Sequence, residues 1–165
     1  MYAHRPNLTT GPIGTATIIS ICSGIGIFGG GICLLAAEYL VARSLGGHLT
    51  VSRHHSAEEV SSTFFVIDTI MIAPIVETFF VRIIFIVLRI KFNLPNYWFV
   101  AINSFLFGLL HPHFLNGLWI FLVLSVQYVW MHRAYGKRLA FWSIAASHSV
   151  NNGLVVASVL FLSPA

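Results

Sequence analysis

Charge is what this chain has least of. Its 165 residues include 9 Lys+Arg and 5 Asp+Glu, so 8% are charged, where soluble domains carry about 25%. A single domain of this length cannot coat its surface with so few polar side chains, which excludes a soluble enzyme. A hydrophobic content of 57% excludes disorder in turn. Lipid is the solvent that remains, because there an apolar exterior is stable. Cysteine is scarce as well. Cys22 and Cys33 both fall in the first apolar run and read as small packing residues rather than a disulfide. The net charge of +4 does not point to nucleic acid, since the basic residues stand singly between apolar runs. They read as loop charges that set topology.

The apolar runs organise the chain. The first, Ile13 to Val41, exceeds the ~20 residues that cross an ~30 Å hydrocarbon core and is too long for a signal-peptide core. A polar stretch follows from Arg43 to Glu59, in which Ser56-Ala57-Glu58-Glu59 has the form of a capping box. The second run extends from Ser61 to Leu88 and is interrupted by Asp68, Glu77 and Arg82. Asn93-Leu94-Pro95-Asn96 reads as a turn. Two shorter segments, Tyr97 to Leu110 and Leu118 to Met131, flank His111-Pro112-His113, and a last run covers Leu139 to Leu162. The expected fold is an all-α, polytopic membrane helix bundle of about five transmembrane segments. It divides into an N-terminal helix and polar loop, residues 1–60, and a core, residues 61–162. Arg5, Arg89, Lys91, Arg133, Lys137 and Arg138 share one side against Arg43 and Arg53 on the other, which places the N-terminus in the cytoplasm.

Within the first run, Gly24-Ile25-Gly26-Ile27-Phe28-Gly29 has dinucleotide-site spacing but lacks the preceding strand that site requires. Gly26 and Gly30 instead form a small-xxx-small face for helix packing. The informative residues are polar ones at membrane depth, where an ionisable group costs several kcal/mol unless something compensates. Asp68, Glu77, Arg82, His111, His148, Asn151 and Asn152 qualify, with Glu38 and Asn103 as secondary cases. His148 and Asn152 are four apart and share a helix face, as do Asn103, Phe107 and His111. Counting from the cytoplasmic ends at ~1.5 Å per residue places Glu77, His111, His148 and Asn152 at roughly 14 to 21 Å. One carboxylate, two imidazoles and one amide from three helices thus lie at overlapping depths.

These residues carry a resemblance. Glu77-Thr78-Phe79-Phe80-Val81-Arg82 is similar to the EExxxR motif of the CPBP intramembrane proteases, the group of CAAX prenyl endopeptidases and bacteriocin-processing relatives. Phe107-Gly108-Leu109-Leu110-His111 resembles their FxxxH, and His148-Ser149-Val150-Asn151-Asn152 their HxxxN. The likeness covers residues 61–162. It implies a membrane-embedded peptidase acting on a peptide or protein at the bilayer, with Glu77 as general base, His111 orienting the same water, and His148 and Asn152 as oxyanion donors. Phe107, Thr78 and Arg82 are supporting residues. The chain departs from the pattern at Thr78, where the family has its second glutamate. Arg82 thereby lacks an i,i+4 partner, leaving Glu38, Asp68 or Glu77 to replace it.

Other readings stand beside this one. Glu77, His111 and His148 form an alternative zinc set, although there is no HExxH. His48, His54 and His55 lie in a polar loop and read as solvated imidazoles. His113 reads as a cap of the turn after Pro112. The loss of the second glutamate also suits a catalytically silent member acting as a membrane scaffold or immunity protein. A small transporter or proton relay using Asp68, Glu77 and Arg82 is the third reading.

Overall fold

The computed structural model describes residues 11–44 and 62–162. The capping box at Ser56 and the histidines at 48, 54 and 55 lie outside the described residues, as does Arg5. Of Glu38, within a described helix, the side chain also lies outside them.

Among the described residues five helices follow one another: α1 Pro12–Ser44, α2 Thr63–Lys91, α3 Asn96–Leu110, α4 Phe114–Tyr135 and α5 Lys137–Leu162. The fold is the expected all-α bundle. Four of its helices are long and apolar enough to cross a membrane, and α3 is the shorter one. Of the two short segments expected from the sequence, the second therefore gains a turn at each end and becomes α4, whereas the first gains only Asn96 and has 15 residues.

Local chemistry sets the helix ends. At the start of α2, the Ser62 hydroxyl accepts from Phe65 N–H at 3.2 Å, satisfying one of the free donors of the first turn. The Asn93 turn closes α2 as expected, with Asn93 at φ 52°, and the Arg89 guanidinium donates to Leu94 O. Between α3 and α4 the chain reverses over three residues. A Cβ on Gly117 would lie 2.6 Å from His111 Cβ and 3.2 Å from the Gly108 Cα, so the absence of a side chain there lets the two helices meet. His113 takes the N-cap position of α4 and accepts there through its carbonyl, from Gly117 N–H at 2.9 Å. Gly136, at φ +86°, makes the break between α4 and α5 in a conformation that L side chains rarely adopt.

α5 is the central helix, packed against α1, α4 and α2, while α3 pairs with α4. The buried stripe of α1 is Ala16, Ser20, Gly24, Ile27 and Gly31, spaced by three and four as one helix face requires. Gly24 sits under Val150 and the Ser147 carbonyl of α5; Gly30 lies under Trp119 and Gly31 against Asn116 of α4. The expected Gly26–Gly30 face is corrected here, for Gly26 meets nothing within 4 Å. It lies nearly opposite the Ser20–Gly24 line and faces outward. Cys22 and Cys33 are likewise exposed and free rather than packed.

Two kinds of core hold the bundle. Phe85, Phe99 and Tyr128 interlock edge to face or tilted at centroid distances of 5.0 to 6.1 Å. A polar network joins α1, α4 and α5. Gln127 Nε2 donates to Ser143 Oγ at 2.9 Å and to Ser147 Oγ at 2.8 Å, and Ser20 Oγ reaches Ser143 Oγ at 3.0 Å. Between membrane helices such bonds contribute about 0.6 kcal/mol on average and up to about 1.7. Gln127→Leu is therefore expected to lower the unfolding free energy by about 1 kcal/mol in a denaturant titration in detergent. An unchanged midpoint would show that the network adds no stability.

Candidate active site

Glu77 stands in the regular α-helical part of α2, Ala73–Phe85, whose buried face is Pro74, Thr78, Val81 and Phe85. Glu77 flanks this face and is 28% exposed, whereas His148 on α5 is 3% exposed. Glu77 Oε2 and His148 Nδ1 approach to 3.2 Å. The approach is off the line of a hydrogen bond, and neither atom has another partner among the described residues. The contact is thus a close pairing of acid and imidazole without an aligned bond between them.

His111 ends α3 in an extended conformation, φ −94° and ψ 145°, because Pro112 follows and disfavours the helical region for the residue before it. Its Nδ1 lies 2.7 Å from Phe107 O. A carbonyl only accepts, so Nδ1 carries a proton, and in the neutral ring the lone pair then stands on Nε2. The spacing of the FxxxH motif has a local reason here: the carbonyl one turn back fixes the imidazole. Phe121 of α4 joins the two histidines. Its ring is 5.3 Å from His111 and 5.6 Å, edge on, from His148, and it stacks on Phe107 at 3.8 Å.

Asn152, one turn beyond His148, is turned toward α2. Its Nδ2 donates to Thr69 O at 2.9 Å, and its Oδ1 accepts from Asn151 Nδ2 at 3.1 Å. Glu77 and His148 are thus in contact where α2 meets α5, Asn152 meets α2 about two turns earlier, at Thr69, and His111 lies against the Phe121 ring that also meets His148. Arg82 is not drawn in. Among the described residues it forms no ion pair with Asp68 or Glu77. Asn103 is fully buried and donates to Ser125 Oγ at 2.7 Å, tying α3 to α4.

The zinc alternative does not fit this arrangement. Among the described residues, no three His, Cys, Asp or Glu side chains converge closely enough to hold a metal ion. Glu77 and His148 touch, and His111 meets the same Phe121 ring as His148 without joining them as a third close ligand.

Thr78 occupies the position of the expected second glutamate and is 1% exposed, with its hydroxyl unpartnered among the described residues. An unmade bond on a buried hydroxyl costs about 1–3 kcal/mol. Thr78→Val, nearly the same shape, is expected to raise the unfolding free energy by about 1 kcal/mol; a loss of stability in a denaturant titration would show that the hydroxyl is satisfied.

Two participants lacked a role in the sequence reading. Phe121 was legible as a member of the stripe Gly117, Phe121, Leu124 and Tyr128, buried at helical spacing. The backbone of Thr69 leaves no sequence signal of its own, except that Pro74 follows five residues later.

Residues 59–154, more than half of the chain, match the family model described as Type II CAAX prenyl endopeptidase Rce1-like. No curated protein and no solved structure matches the chain. The matched span starts just before α2 and includes the glutamate, both histidines and the asparagine whose geometry is given above. By that match, and by the three motifs in family order on α2, α3 and α5, the chain belongs to the Type II CAAX prenyl endopeptidase Rce1-like family.

Proposed function

We propose that this protein is an intramembrane endopeptidase that hydrolyses a peptide bond in a membrane-associated peptide or protein, from a site formed by Glu77, His148, Asn152 and His111. The observation that carries this reading is the 3.2 Å contact between the Glu77 carboxylate and His148 inside a family of proteases. Glu77 takes a proton from water as the water oxygen attacks the scissile carbonyl, and His111, through its Nε2 lone pair, orients the same water. Ring N–H of His148 and the second carboxamide N–H of Asn152 donate to the oxyanion, each donor contributing about 3 kcal/mol in comparable sites. The proton held by Glu77 then passes to the leaving amine as the C–N bond breaks. Residues 61–162 carry this chemistry, residues 1–60 supply the accessory helix and loop, and the N-terminus is cytoplasmic by the distribution of basic residues.

The test is cleavage of a quenched-fluorescence peptide, farnesylated near its C-terminus, by the full chain reconstituted in vesicles, with the unprenylated peptide alongside. Cleavage that depends on Glu77 supports the reading, and cleavage of both peptides alike places specificity in the peptide rather than the prenyl chain. A catalytically silent scaffold is the second reading. It is favoured by Thr78 in place of the second glutamate and by the unpaired state of Arg82 among the described residues. Wild-type protein inert toward both peptides, yet still protecting cells when Glu77 and His111 are both alanine, would favour it.

A further inference from the structure

The chain of α2 changes register just before the site. Ala73 N–H donates to Asp68 O, five residues back, at the end of the π-helical turn Asp68–Ile72. The next donor in that register would be residue 74, and its acceptor Thr69 O. Residue 74 is proline, which has no N–H. The carbonyl of Thr69 is therefore released by its own helix, and it is this carbonyl that accepts from Asn152 Nδ2 at 2.9 Å. At the other end of the same carboxamide, Asn151, 4% exposed, donates to Asn152 Oδ1 at 3.1 Å.

A carboxamide offers two N–H groups and one oxygen. Here the oxygen is held by Asn151 and one N–H by Thr69, so the second N–H is the donor that remains, and the group cannot turn over without losing both bonds. We propose that Pro74 and Asn151 are positioning residues that fix the Asn152 carboxamide, Pro74 by freeing the Thr69 carbonyl and Asn151 by holding the amide oxygen. This deepens the peptidase reading, and it rests on that reading for its catalytic consequence. Pro74 thereby links the bend of α2 to the orientation of a group on α5.

Pro74→Ala restores an N–H that competes for the Thr69 carbonyl. In the farnesylated-peptide assay, kcat is expected to fall on the order of tenfold to a hundredfold with KM unchanged, less than the full loss of one oxyanion donor. The unfolding midpoint should hold or rise, because a helix-interior proline is replaced by alanine. In an Asn152→Ala background, Pro74→Ala should have no further effect on kcat. An additive loss there, or wild-type kcat for Pro74→Ala, overturns the proposal. Cleavage that persists in Glu77→Gln overturns the peptidase reading instead. A second measurement needs no substrate: in protein labelled with 15N-asparagine, the Asn152 carboxamide signal, assigned by its absence in Asn152→Ala, should shift in Pro74→Ala and in Asn151→Ala. An unmoved signal in both overturns the positioning.

Discussion

Glu77→Gln is expected to reduce kcat by about 10²–10⁴-fold while leaving the bundle folded. General-base contributions have that magnitude, and the amide that replaces the carboxylate has nearly its shape, so little else changes. The side chain flanks the buried face of α2 rather than filling it, and no packing is lost. Its neighbour His148, whose Nδ1 has no aligned partner among the described residues in the wild type either, loses no hydrogen bond by the change. The comparison to make is single-turnover cleavage in vesicles beside a helical circular-dichroism spectrum and an unfolding midpoint. Full cleavage by Glu77→Gln would remove Glu77 as base and the mechanism with it.

Gly24→Val is expected to have the largest effect on stability. A Cβ at Gly24 would lie 2.6 Å from Val150 Cβ and 2.7 Å from Ser147 O. The second is a backbone atom of α5 and cannot swing aside as a side chain end does. Overpacking of this kind costs about 1–3 kcal/mol, occasionally more, and α1 must lift from α5 to relieve it. Ser147 and Val150 bracket His148 along the helix, so the shift reaches the site as well. Gly26→Val is the matched comparison, since Gly26 meets nothing within 4 Å, and it should unfold like the wild type. Equal midpoints for the two variants would mean that α1 does not pack on α5 through Gly24.

That pair of glycines marks where sequence reading succeeded and failed. The small-residue character of α1 was legible, but which glycines face the bundle depends on where α4 and α5 lie, and a local pattern does not contain that. The motifs were legible because each is a helix-face spacing: Phe107 and His111 are joined by a carbonyl one turn back, and His148 and Asn152 lie one turn apart. Asn151 was visible only as a polar residue at depth, because its partner is its own chain neighbour and has no period. The Asn152–Thr69 bond was hidden for a different reason, being made to a backbone atom. The five helices were legible, and at α3 the length falls short of the four long spans, as hydropathy alone does not say whether a short apolar helix crosses. The zinc alternative was open in sequence because the order of ligands does not say how closely three side chains converge.

The shortness of α3 bears on how water enters. Fifteen residues rise about 22 Å, against an ~30 Å hydrocarbon core. With its Asn93 end at one face of such a core, an upright helix of that length would leave the reversal at His111–His113 about 8 Å short of the other. Non-helical backbone at that depth is tolerated where it is covered by protein or lines a wet cavity. Solvent following the chain into that gap would approach the imidazole of His111 from one leaflet. For the proposed hydrolysis such a route would supply the water, and the length that α3 lacks is about one and a half helical turns.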